Sequence, residues 1–121
     1  MVYAIFLLIV SLRPGQAIPG IFDWGELFSP DKLAHFTAYA IFAVLLSFAG
    51  RRATAVRRAA VGVPFSAAFG ALIEVLQGVA GTGRFFDPVD MVANLLGAVL
   101  GGAIYLLLHY LVFKRLAPAR T

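Results

Sequence analysis

The sequence predicts an all-α membrane protein: a four-transmembrane-helix bundle with an interfacial segment between helices 1 and 2. Three observations carry that prediction. Of 121 residues, 61% are hydrophobic and 13% charged, against roughly 45–50% and 25% in soluble domains. The apolar residues gather into four runs separated by short polar connections, and the Lys and Arg residues cluster in those connections. A soluble chain this small could not hide so much apolar surface, and the composition is the reverse of a disordered one. With no Cys, disulfides and cysteine-ligated metals are excluded. The net charge of +4, placed in clusters between apolar runs, is a membrane pattern and argues against a nucleic-acid partner.

The spans are expected at about 1–12, 31–50, 59–79 and 88–113, as one domain over residues 1–121. Crossing the hydrocarbon needs about 20 helical residues. The first run, closed by Arg13, Pro14 and Gly15, is shorter than that. It lacks the basic leader and small-residue cleavage site of a signal peptide, and reads as a first span abbreviated at its N-terminus. Between it and the second run, Ile18, Ile21, Phe22, Trp24, Leu27 and Phe28 alternate with Asp23 and Glu26. Trp and Phe among polar residues suit the headgroup zone. This segment, residues 16–29, is expected along the outer interface, as an anchor or as a lid.

Orientation follows the cations. Arg51, Arg52, Arg57 and Arg58 fall between spans two and three, and Lys114, Arg115 and Arg120 follow span four. An even number of spans puts all of these and both termini on the cytoplasmic side. The acids Asp23, Glu26, Asp31, Glu74, Asp87 and Asp90 all fall in or near the two outer connections, so any chemistry is expected outside.

Span two opens Ser29-Pro30-Asp31-Lys32: an N-cap, a first-turn proline and an acid at the positive helix end. At about 100° per residue, Asp31, His35 and Tyr39 form one stripe with Lys32 at its edge. Asp31 is either a capping group or a ligand, and His35 either a functional group or a packing hydrogen bond. Span three carries Gly62, Ser66 and Gly70 at four-residue spacing, a helix-contact face, and the same face delivers Glu74 and Gln77. Glu74, roughly 8 Å below the outer end, must be neutral, face water or meet a cation. Lys32, His35 and Arg84 are the nearest candidates in the chain.

The connection 80–86 is glycine-rich but lacks the strand and Lys-Ser/Thr of a phosphate loop. Beyond it, Asp87 can cap span four, Pro88 can take its first position and Asp90 the place of a capping-box acid. Asp90, Asn94, Gly97 and Gly101 share a stripe, so Asn94 is either inter-helix glue or part of a site. An outward-opening cleft lined by His35, Tyr39, Glu74, Gln77, Arg84, Asp90 and Asn94 is the simplest account. His35, Glu74 and Asp90 are then the candidate catalytic groups. Asp31, Lys32, Tyr39, Gln77, Arg84, Asp87 and Asn94 are the candidate substrate-binding groups. No metal site and no cofactor is assigned, because the set His35, Glu74, Asp87 and Asp90 lacks a ligand-spaced pair such as His-x-x-x-His. His109, near the inner end of span four, reads as an interfacial residue.

At these residues the sequence resembles the VanZ-like family of small bacterial membrane proteins. The matching pieces are Ser11-Leu12-Arg13-Pro14, Asp31-Lys32-x-x-His35-Phe36-x-x-Tyr39, Glu74-x-x-Gln77, Arg84-Phe85-x-Asp87-x-x-Asp90 and Asn94-x-x-Gly97-x-x-x-Gly101. The short first span departs from the pattern. The resemblance implies a helical bundle of the bacterial cytoplasmic membrane and a loose link to glycopeptide (teicoplanin) sensitivity. The expected function is binding or modification of a lipid headgroup or lipid-linked cell-wall precursor at the outer surface. The alternatives are a small proton-coupled multidrug-type transporter using Glu74 and a non-catalytic membrane assembly subunit. The expected partners are the bilayer, such a headgroup, and a second copy of the chain through the small-residue faces.

Overall fold

The computed structural model describes residues 1–12, 30–81, 83 and 86–116. Within them run four helices: α1 (Val2–Ser11), α2 (Pro30–Ala49), α3 (Ala55–Val79) and α4 (Pro88–Leu116). There is no strand among the described residues. Helices α2, α3 and α4 are long and apolar enough to cross a membrane. Helix α1 has 10 residues, about 15 Å at 1.5 Å per residue, half of a hydrocarbon core about 30 Å thick. The segment 16–29 expected at the interface, together with Ser29, Arg13 and Arg84, lies outside the described residues.

Local chemistry sets the ends. Helix α3 starts at Ala55 rather than at 59, because the Thr54 hydroxyl accepts the Arg57 N–H at 3.3 Å and caps it. Arg57 and Arg58 therefore belong to the first turn of α3 and not to the connection, which shrinks to residues 50–54. The chain turns there with Arg52 in the left-handed region at φ 65. Pro64 lies inside α3. Its ring removes one backbone bond, a loss that membrane helices tolerate. At the other end of α3, Gly81 and Gly83 have φ of 64 and 76. Their place is this left-handed turn, which costs glycine nothing.

The widest helix interface joins α2 and α4. A Cβ added at Gly97 would strike the carbonyl of Phe36, and one at Gly101 the carbonyl of Ala40. The small-residue stripe of α4 thus lets two backbones touch. Gly62 of α3 packs against Ser47 of α2, and Gly102 of α4 against Val63 of α3. These small-residue faces are spent within the chain. Ser66 adds a bond across the α2–α3 seam, donating from Oγ to the Tyr39 carbonyl at 3.1 Å.

Helix α1 seats against the N-terminal half of α2 and the C-terminal half of α3. Leu7 is buried with Tyr39, Phe42 and Ile73, and the Tyr3 hydroxyl donates to the Ala38 carbonyl at 2.8 Å. The Tyr3, Phe42 and Phe69 rings continue that contact, with centroids 5.7 Å and 5.3 Å apart in turn. The opposite end of the bundle is closed by Phe48 edge-on to Tyr105 at 4.8 Å, and by His109 stacked on Phe113 at 4.2 Å. The distribution is inside-out for a soluble protein. Phe65, Leu72 and Val79 on α3 and Leu95, Val99, Leu107 and Leu111 on α4 face outward, while Lys32, Ser66, Glu74, Gln77, Asp90 and Asn94 are buried. Apolar side chains outside and polar ones between helices are what a bilayer solvent selects.

Candidate functional site

The site is built where α2 and α4 begin and α3 ends. Pro30 opens α2, which places Asp31, Lys32, His35 and Tyr39 on its first three turns. Asp87 precedes α4 and caps it: its Oδ1 accepts the Val89 N–H at 2.9 Å and its carbonyl the Asp90 N–H at 3.1 Å. The Asp87 N–H, which a capping-box acid at Asp90 would take, instead donates to Glu74 Oε2 of α3 at 3.4 Å. Asp90 is thereby released for another partner.

That partner is Lys32. Its side chain is only 8% exposed, and its ammonium meets Asp87 Oδ2 at 2.6 Å, Asp90 Oδ1, and Asp31 Oδ2 at 3.8 Å. A buried ammonium is tolerable only with partners of this kind. Burial disfavours the Asp87 charge. Lys32 and the N–H groups of Val89 and Asp90 outweigh that and hold its carboxyl below the usual aspartate value.

A second layer lies toward the bundle axis. His35 Nδ1 donates to Asn94 Oδ1 at 3.2 Å, which leaves Nε2 as the ring's acceptor. Asn94 sits against Gly70, where an added Cβ would come within 2.9 Å of Nδ2 and 3.0 Å of the Tyr39 ring. Glu74, Tyr39 and Asn94 are enclosed, and Glu74 Oε1, the Tyr39 hydroxyl and Asn94 Nδ2 have no hydrogen-bond partner among the described residues. Gln77 is committed elsewhere, its Nε2 donating to the Ser11 carbonyl at 2.5 Å and tying α3 to the end of α1.

Between α1 and α2 opens a cleft of about 270 Å³, lined by Phe6, Leu7, Val10, Ser11, Asp31, Ala34, His35, Ala38 and Tyr39. The expected α2 stripe Asp31, His35 and Tyr39 is thus real and forms one wall. The rest of the expected cleft is divided differently. Glu74, Gln77, Asp90 and Asn94 do not line it: they are buried between the helices and turned to the Asp87 N–H, the Ser11 carbonyl, Lys32 and His35 respectively.

A family model described as VanZ/LLP1 matches residues 2–109, a stretch that runs from α1 through most of α4. The chain belongs to the VanZ/LLP1 family. No curated protein and no solved structure matches it. Among the described residues, the motif pieces at the start of α2, the end of α3 and the cap of α4 meet around Lys32. In this VanZ/LLP1 chain, Asp31, Lys32, His35, Tyr39, Glu74, Asp87, Asp90 and Asn94 come together, Gln77 stands one layer aside, and Arg84 lies outside the described residues. Sequence reasoning missed Lys32 as the hub of three carboxylates. Acids just before a second helix were its only signal. It also missed Tyr3, and it placed Ser66 on a helix-contact face without its partner, because both hydroxyls bond backbone carbonyls that leave no trace in a sequence pattern.

Proposed function

We propose that this VanZ/LLP1 membrane protein binds the polar head of a lipid or lipid-linked wall precursor in the cleft between α1 and α2. The observation that carries this reading is the make-up of the cleft. Asp31 and His35 stand near its polar end, and Phe6, Leu7, Val10, Ala34 and Ala38 supply an apolar floor. That combination fits an amphiphile lying along the protein at the membrane surface. In this reading the chain is a four-span protein of the bacterial cytoplasmic membrane, with the cleft outside and the Arg51–Arg58 and C-terminal cations inside.

His35 is the group of the site that can exchange a proton with a bound head, through Nε2, while Asn94 holds its ring. Lys32 is engaged by three carboxylates. A phosphate would have to displace one of them, so Lys32 serves the site by holding α2 against α4. Glu74 and Asp90 support from behind the wall.

The test is lipid retention by the purified protein, read by native mass spectrometry. Ala34→Trp, at an exposed position on the cleft floor, fills the space without touching the buried cluster. Loss of bound lipid in Ala34→Trp and in His35→Ala, with normal yield, supports the reading. Retention equal to wild type in both overturns it. The proton-coupled transporter rests on the enclosed Glu74 Oε1 without a partner among the described residues. It requires pH-driven flux in proteoliposomes that Glu74→Gln abolishes.

A further inference from the structure

We infer that Asp31, His35 and Asp90 form a binding site for one divalent transition-metal ion, of the class of Mn²⁺ or Zn²⁺, at the outer end of α2. One ligand atom from each of these residues lies within 4.8 Å of the other two. Two metal–ligand bonds of about 2.1 Å place donor atoms at most about 4.2 Å apart, so the triad is within one side-chain adjustment of closure. Asp31 is the residue able to make that adjustment, since its side chain is 60% exposed. The spacing Asp31-x-x-x-His35 puts two donors on one helix face, and Asp90 arrives from α4.

Three independent features point to a cation. His35 Nδ1 donates to the buried Asn94 Oδ1, which holds the ring and leaves Nε2 as the nitrogen with a lone pair to offer. Metal-binding histidines are held by their other nitrogen in this way. Among the described residues, three carboxylates face the Lys32 ammonium, an excess of acids over cations that favours a bound cation. Behind them the Glu74 carboxyl reaches the same cluster through Asp87, with Oε1 enclosed and without a partner among the described residues. Lys32 meets Asp90 at Oδ1, and a carboxylate has two oxygens, so it can hold an ammonium and a metal together. One imidazole with two carboxylates favours a first-row transition ion over Mg²⁺ or Ca²⁺. Three protein ligands leave positions open for water or for an oxygen of a bound head.

The site does not need the lipid reading. Untagged full-length protein in detergent micelles is titrated with Zn²⁺ alone by calorimetry and with Mn²⁺ alone by electron paramagnetic resonance. The expected result is one ion per chain, with a nitrogen coupling on bound Mn²⁺. Affinity should fall roughly tenfold or more in His35→Ala and Asp31→Asn, and stay unchanged in His109→Ala, the chain's other histidine. Asp31 is the most distant and most exposed of the Lys32 partners, at 3.8 Å and 60% exposure, and the closer Asp87 and Asp90 pairs are untouched, so both variants should retain wild-type circular dichroism. Binding well below one ion per chain, equal binding of Mg²⁺, or unchanged affinity in Asp31→Asn and His35→Ala overturns the site. Ala34→Trp separates the two proposals: it fills the cleft and removes lipid while the three ligands stay in place.

Discussion

Lys32 in the first turn of α2 and Asp87 at the cap of α4 lie 2.6 Å apart across 55 positions of chain. The same ammonium meets Asp90, three residues further on. The α2–α4 interface is therefore held at one end by charge and along its length by the backbone contacts at Gly97 and Gly101. Glu74 completes the joint from α3, since it accepts the N–H of the very aspartate that Lys32 binds. Three helix ends converge on one lysine, and the cleft wall formed by Asp31, His35 and Tyr39 takes its position from that convergence.

Lys32→Met should leave Asp87 and Asp90 facing each other without their cation. Removing one member of a buried pair costs about 3–5 kcal/mol, so the thermal midpoint in micelles should fall sharply. Lys32→Met combined with Asp90→Asn should recover part of the loss, because the stranded charge is then gone. Additive losses in the double variant would show that the pair is not coupled.

Stability should also depend on acid through Asp87. Burial opposes its charge, but Lys32 and the neighbouring N–H groups prevail and depress its pKa in the fold. A depressed carboxylate contributes stability that is fully present above its unfolded value of about 3.9 and is lost as pH falls toward the folded value. The Asp87 contribution to the wild-type melting temperature should therefore be constant above its unfolded value and be lost below about pH 4. Asp87→Asn should start lower and lose less over the same acid interval. Parallel acid limbs for the two proteins would assign the drop to other groups.

The helices and the stripe were legible in the sequence because they follow from repetition. Gly97 and Gly101 are four apart, as are Asp31 and His35, and periodicity alone puts each pair on one face. The partner of each face was not legible, because it depends on how helices rotate against one another. Lys32 looked like a substrate-binding group at a stripe edge until α4 brought two aspartates to it. Gln77 looked like a site residue until α1 ended beside it and offered the Ser11 carbonyl. The start of α3 was misread for a simpler reason: hydropathy marks where a membrane helix becomes apolar, while Thr54 marks where it is capped.

The close approach of α2 and α4 makes a graded prediction. Gly97→Ala and Gly101→Ala place a methyl against the backbone carbonyls of Phe36 and Ala40, which cannot turn aside. Each should cost about 1–3 kcal/mol or more. Gly102→Ala meets only the Cγ2 methyl of Val63, a side chain that can rotate, so it should cost less. Unfolding of the three variants in a mild detergent series would rank them, and equal stabilities would mean that the backbones do not touch.

Topology can be read with single cysteines because the chain has none of its own. The connection 50–54 contains Arg51 and Arg52 and is followed by Arg57 and Arg58, and cations within about 15–20 residues of a span set orientation. That Arg57 and Arg58 begin α3 does not weaken the bias, since they still lie at its membrane boundary. Ala53→Cys should resist a membrane-impermeant maleimide in spheroplasts and react after lysis, whereas Ala80→Cys, exposed at the end of α3, should react in both. Replacing Arg51, Arg52, Arg57 and Arg58 with Gln leaves the orientation to the cations after α4, and a fraction of chains should then invert. Labelling of Ala53→Cys in intact spheroplasts would place the cleft, and with it His35, on the cytoplasmic side, where no outer-surface lipid or wall precursor could reach it.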